Sequence, residues 1–293
     1  MPSNVKYLSW LGLRVCISWF ISTAGLWFTR LVEVIIRPDP EAAAKLVARL
    51  IADSMQAHPR LVLGLATGRT MEAVYRVLVR QHREEGLDFS RCRTFNLDEY
   101  VGLGPEHPGS YRRYMREHLF SLVGLNPRNT HLPNGAASDL DAECAHYERQ
   151  IQKAGGIDIQ LLGIGQDGHI GFNEPLSALQ SRTRVKALTP TTLKQNASAF
   201  GGVGKVPRRA ITMGVGTILE CRRCLLLATG SEKAAIIAKA VEGPITSMIS
   251  ATALQLHRRC TVVVDEAAAR RLKGADYYRW IFANEPEWEA YRE

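Results

Sequence analysis

The chain has 293 residues, 46% of them apolar and 23% charged, so it is long enough to bury a full core and too apolar for a disordered polymer. Its net charge is +8, but the basic residues are scattered in pairs such as Arg112–Arg113, Arg208–Arg209 and Arg258–Arg259, with no aromatic residues interleaved. That distribution argues against a nucleic-acid partner and suits a small anionic ligand.

Taken in chain order, the first feature is the apolar stretch "YLSWLGLRVCISWFISTAGLWF" at 7–28, interrupted by Arg14. It reads as a signal peptide, as a membrane anchor, or as the product of an upstream mis-start with translation truly beginning near Leu31 or Val32. We favour the last reading, which makes residues 1–30 an extension and 31–293 one domain in the cytoplasm. From Asp39 the pattern alternates helix and strand. Asp39 is an N-cap, Pro40 opens the first turn, and Leu46, Val47, Leu50 and Ile51 share one helical face. "RLVLGLA" is a short buried strand, and "TGRT" turns from it into a helix carrying Met71, Val74, Tyr75 and Leu78. "CRTFNL" is the next strand, ending at "DEYVGLGPEHPGSY", which reads as a loop. "IDIQLLGI", "RRAITMG", "CLLLATG" and "RCTVVVD" are further strands, each followed by a loop or a helical stretch. Repeated βα units of this kind predict a Rossmann-like α/β fold, a mostly parallel sheet with helices on both faces.

The chemically interesting loops all follow strands, where such sheets bind ligands. Thr67, Gly68, Arg69 and Thr70 form a strand-to-helix turn whose N–H groups and hydroxyls suit a phosphate, and "LATGSEKAA" repeats the pattern with Lys233 just inside a helix. Asp98 and Glu99 end another strand, either as a substrate-facing base or as a cap or solvated loop pair. In "GIGQDGHIGFNEP", Asp167 and Glu174 can both approach His169, on a loop that its glycines would leave pliable. One histidine among acids is poor zinc spacing. Six cysteines (16, 92, 144, 221, 224 and 260) make no disulfide framework; Cys221 and Cys224 form one CxxC, a redox or metal half-site or simply a helix end running into a strand, the reading we favour.

The segments "LGLATGRT", "FNLDEYVGL", "HPGSY", "GIGQDGHIGFNEP", "SRTRVKAL", "MGVGTIL" and "GSEKA" together resemble the glucosamine-6-phosphate deaminase (isomerase) family, from about residue 31 to the C-terminus. The sister 6-phosphogluconolactonases typically carry "DER" and "DGHTASLFP" at the matching places, and sugar-sensing domains of the same fold usually lack this set of acids and histidine. The resemblance implies deamination and isomerisation of glucosamine 6-phosphate to fructose 6-phosphate, with no metal or organic cofactor. It assigns ring opening to His169, its orientation to Asp167 and Glu174, and transfer of the C2 proton to Asp98. It places the phosphate on Thr67, Gly68, Thr70 and Lys233. Many members have an arginine about where Ser198 stands; either Arg69 supplies that guanidinium instead, the reading we favour, or it is a surface residue and the phosphate is held more weakly. Ser177, Arg184 and Lys186 match the allosteric site that some members form between subunits, whereas Ala187 replaces a usual threonine; the resemblance thus implies a homo-oligomer, with a hexamer as the assembly that allostery presumes.

Overall fold

A computed structural model of the chain describes residues 32–292, so the extension 1–30 and the three readings of it lie outside the described residues. The first half alternates regularly. Strand β1 (Glu33–Arg37) leads to helix α1 (Pro40–Ala57), β2 (Val62–Leu65) to α2 (Arg69–Glu85), and β3 (Arg93–Asn96) runs almost directly into β4 (Asp98–Tyr100). Helix α3 (Tyr111–His118), the two-residue β5 (Thr130–His131), α4 (Leu140–Lys153) and β6 (Ile159–Leu162) follow. The second half contains β7 (Arg184–Ala187), α5 (Pro190–Phe200), β8 (Arg209–Thr212), α6 (Val215–Leu219), β9 (Arg223–Ala228), α7 (Ala234–Glu242), β10 (Cys260–Asp265), α8 (Glu266–Ala269) and α9 (Ala275–Asn284).

Seven strands form one parallel sheet in the order β1-β10-β9-β6-β2-β3-β5, with the helices packed around it. Its central strands carry near-continuous apolar runs, such as Leu225–Ala228 and Val262–Val264, because both faces are covered; every residue of β9 and β10 is buried. The expected parallel α/β sheet is therefore present. Local chemistry sets the helix ends. The Asp39 carboxylate accepts the Ala42 N–H at 2.8 Å to open α1, and Gly86, at φ 74, closes α2 in the left-handed conformation that glycine tolerates best. Leu46, Val47, Leu50 and Ile51 are all buried, as their spacing predicts.

Two expectations need correction. "DEYVGL" is not all loop, because Asp98–Tyr100 is a strand, and "RRAITMG" does not join the parallel sheet. Instead β4, β8 and β7 make a separate three-stranded antiparallel sheet in which Asp98 pairs with Thr212 and Tyr100 with Ala210. A small second core of Tyr100, Phe172, Leu188, Val206 and Ala210 supports it. The chain crosses between the sheets at Leu97, whose N–H donates to the Leu65 carbonyl in the large sheet and whose carbonyl accepts the Met213 N–H just beyond β8. No helix among the described residues is long and apolar enough to cross a membrane.

Candidate active site

The carboxyl ends of β9, β6, β2 and β3 lie side by side in the sheet order, and each delivers one of the loops singled out from the sequence. A cavity of about 210 Å³ opens there, lined by Thr67–Met71, Asp98, Gly163–Gly165, His169, Gly171, Phe172, Gln195, Asn196 and Lys233. A second cavity of about 860 Å³ shares Gly68, Arg69, Thr70, Tyr111, Gln195, Asn196 and Lys233 with it and continues outward past Ser198 and Tyr114.

Asp98 is 6% exposed, and burial, followed by the neighbouring Glu99, raises its carboxyl well above the ordinary aspartate range. A carboxylate held in this way is a stronger base than one in water. The two acids of "DEY" part company here. Glu99 accepts the N–H groups of Tyr100, Tyr111 and Arg112 at 2.9–3.0 Å, so it caps the start of α3, the blander of the two readings.

His169 Nδ1 stands 2.6 Å from Asp167 Oδ1 and 3.6 Å from Glu174 Oε2. The Asp167 oxygen sits off the line of a ring N–H, so the contact is close but not a straight hydrogen bond. Burial alone would raise Asp167, but the hydrogen-bonding and charge effects of His169 outweigh it and hold the carboxyl below its usual range. Glu174 does something further. Its two oxygens accept the backbone N–H of Thr189 at 3.0 Å and the Thr189 hydroxyl at 3.2 Å. Thr189 is the N-cap of α5, the helix that brings Gln195, Asn196 and Ser198 to the cavities. Asp167 is thus the nearer partner of the imidazole, and Glu174 ties the histidine loop to the covering helix. One ligand atom each from Asp167, His169 and Glu174 lies within 4.8 Å of the others, close enough to surround a cation, although Glu174 is already committed to Thr189.

The glycines of this loop serve close packing more than pliability. A Cβ on Gly165 would stand 2.4 Å from the His169 ring, and one on Gly171 would meet the Thr212 hydroxyl at 2.9 Å, with Asp98 just behind it. The backbone has to pass hard against the imidazole and the small sheet, which only glycine permits.

On the opposite wall, Gly68 opens α2 with φ 110 and no side chain caps the helix, leaving its first N–H groups and its positive dipole end toward the cavity. The "LATGSEKAA" loop contributes differently from the expectation. The Gly230 N–H is taken by Asp265, and Lys233 ends a short 3-10 turn just before α7, so this loop offers its lysine rather than a backbone cradle. Lys233 donates to the Ile164 carbonyl at 2.8 Å, and burial lowers its pKa. Arg69 is exposed at the rim and lines both cavities, facing the same space as Ser198. Tyr114, which the sequence reading did not single out, fixes the turn by donating to the Gly68 carbonyl at 2.9 Å. Thr189 was missed as well, although "TP" before a helical stretch is an N-cap signal.

The three residues matched to an allosteric site lie apart from the cavities. Ser177 is buried and donates its N–H to the Glu174 carbonyl, and Arg184 donates to the Asn173 side chain at 2.9 Å. Lys186 is two residues along β7 on the same face as Arg184. Both Ser177 and Arg184 therefore touch the loop that carries Glu174.

The chain is similar to known proteins over most of its length. The sequence profile of glucosamine-6-phosphate isomerases/6-phosphogluconolactonase matches residues 40–263. Glucosamine-6-phosphate deaminases of Arthrobacter sp. (strain FB24) and Streptomyces avermitilis are each 48% identical to the chain over 88% of its length and 99% of theirs. Among solved structures, a monomeric glucosamine-6-phosphate deaminase superposes with a TM-score of 0.81 at 44% identity, covering 82% of this chain and 100% of that one. A 6-phosphogluconolactonase from Trypanosoma cruzi shares the fold, with a TM-score of 0.67 at 20% identity over 83% of this chain and 97% of its own. The chain belongs to the family of glucosamine-6-phosphate isomerases and 6-phosphogluconolactonases.

Proposed function

We propose that the chain is a glucosamine-6-phosphate deaminase, an isomerising C–N hydrolase of amino-sugar catabolism that converts D-glucosamine 6-phosphate and water to D-fructose 6-phosphate and ammonia, with residues 31–293 as its one catalytic domain. The observation that carries the reading is the pairing, across one cavity, of a buried carboxyl at Asp98 with the Asp167–His169 ion pair. Deamination with isomerisation needs a base beside C2 and a separate acid–base group at the ring oxygen, and these two centres supply one each. Identities of 44–48% to deaminases, against 20% to a lactonase, favour the same choice within the family.

In this reading the phosphate lies against the start of α2, on Thr67, Gly68 and Thr70, with Arg69 and Lys233 supplying positive charge. His169 gives a proton to the ring oxygen as the C1 hydroxyl loses one, opening the pyranose. Asp167 holds the imidazole in place, and Glu174 holds α5 over the sugar. Asp98 takes the proton from C2 and returns it to C1 while one proton passes from the amino group to O1, which leaves a ketimine at C2. Water adds to that carbon and ammonia departs. Ser177, Arg184 and Lys186 would hold an anionic effector against the Glu174 loop in an assembly of several subunits.

The test is ammonia release from glucosamine 6-phosphate by the purified chain. Turnover is expected, with fructose 6-phosphate formed in equal amount. Substrate binding without ammonia would point to a sugar-phosphate sensor, and hydrolysis of a sugar lactone in its place to the sister enzyme.

A further inference from the structure

At the far end of β9 from the cavity lies a second cluster of reactive side chains that the proposed reaction does not use. Cys221, in the turn after α6, has its sulfur 3.3 Å from that of Cys224 at the start of β9, and His257, just before β10, places Nε2 3.6 Å from the Cys221 sulfur. All three are buried, Cys221 being 6% exposed and Cys224 fully enclosed.

The hydrogen bonds around His257 decide what the cluster can do. The Arg259 N–H donates to Nδ1 at 3.0 Å, so Nδ1 carries the lone pair and Nε2 carries the proton. That Nε2–H points at the Cys221 carbonyl, 2.8 Å away, with the sulfur beside it. A metal would need the Nε2 lone pair, which would move the proton to Nδ1 and set it against the Arg259 N–H. A thiolate needs the opposite, an N–H donor next to sulfur, and has it.

We propose that Cys221 and Cys224 form a reversible disulfide, with Cys221 as the sulfur that reacts first and a hydroperoxide as the oxidant. The Cys221 thiolate attacks the peroxide oxygen, giving Cys221 sulfenic acid and releasing the alcohol, or water from hydrogen peroxide. The Cys224 thiol then displaces the sulfenic oxygen as water and closes the S–S bond. Two thiols and one hydroperoxide thus yield one disulfide, one alcohol and one water. The sulfurs need only close from 3.3 Å to bonding distance, about 2.05 Å, within a four-residue loop. The division of labour follows from the surroundings: the Cys224 thiol first, and His257 with it, draw the Cys221 thiol down to about 6 against the opposing effect of burial, whereas burial pushes Cys224 well up.

Arg222 and Arg223 lie between the two cysteines, so trypsin separates them and only a disulfide keeps the two peptides together. The full-length protein is treated with hydrogen peroxide, its remaining thiols are alkylated, and the denatured chain is digested and mapped by mass. The joined peptide is expected at least tenfold sooner than oxidation of the buried Cys92 or Cys144, and dithiothreitol should separate it. Cys224→Ser is expected to trap Cys221 as a sulfenic acid that dimedone captures, and His257→Phe to slow the reaction at least tenfold. Oxidation of Cys221 no faster than that of Cys144 would overturn the proposal. So would one tightly held zinc per untreated chain that shields both thiols from alkylation.

Discussion

Replacing Asp98 by Asn tests the centre of the argument because it removes charge while keeping shape. Asp98 opens β4 just after the crossing between the two sheets and is 6% exposed, and the chain at Gly171 is so close that a Cβ there would lie 3.5 Å from its carboxylate. The amide occupies the same space but cannot accept the C2 proton, so ammonia release should fall by roughly 10²–10⁴-fold, about 3–5 kcal/mol of barrier. Stability should move the other way. Burial raises the folded-state pKa of Asp98 above its unfolded value, so the stability this group supplies is present below the unfolded pKa and is lost as pH rises through the folded pKa. At neutral pH the buried carboxyl therefore burdens the fold, and the Asn variant should melt at a higher temperature than the parent, with the difference vanishing in acid. The same raised pKa places the acid limb of the parent's kcat/KM profile above the range of an ordinary aspartate. Paired assays of ammonia release and melting temperature from pH 4 to 8 would check both arms. A variant that keeps more than a tenth of the activity, or that melts lower at neutral pH, would refute the assignment of Asp98 as a buried base.

Three further outcomes are expected. Arg69→Ala should raise KM for the phosphorylated sugar by roughly 10- to 100-fold with kcat nearly kept, since a charge-assisted hydrogen bond contributes about 1.5–3 kcal/mol; an unchanged KM would make Arg69 an ordinary rim residue. Gly165→Ala puts a methyl 2.4 Å from the His169 ring, and the displaced imidazole should cost on the order of 10²-fold in kcat while circular dichroism shows an intact fold. Thr189→Ala removes both the α5 cap and the hydroxyl that Glu174 accepts, destabilising the helix by about 1 kcal/mol; limited proteolysis within residues 190–200 should quicken and KM should rise.

Much of this architecture is written in apolar runs. The strands around Leu63, Leu161, Leu226 and Val263 were legible because a strand covered on both faces is apolar along most of its length, and the helices after them because Asp39 marks a start and Met71, Val74, Tyr75 and Leu78 share a face. The small sheet was not legible. β4 is three residues of "DEY" and β7 is the half-buried "RVKA", so neither offers alternation or an apolar run; their pairing with β8 comes from tertiary contact. At the site, residue type and placement after a strand singled out Asp98, Asp167, His169 and Lys233. They could not show that Glu99 caps α3 or that Glu174 holds Thr189, because those partners are 12 and 15 residues away. His257 escaped notice for the same reason, standing 36 residues from Cys221.

The crossing at Leu97 carries a stereochemical consequence. Hydrogen bonds to both sheets pin the residue just before Asp98 from two sides, so the proposed base is held still while the sugar reacts. The two oxygens of one carboxylate span roughly the separation of adjacent carbons, so a stationary Asp98 can serve C2 and C1 in turn without any backbone movement. If Asp98 moves the proton as proposed, both transfers occur on one face of the open chain. A deuterium placed at C2 of glucosamine 6-phosphate should accordingly appear in part at C1 of the product, in a single configuration.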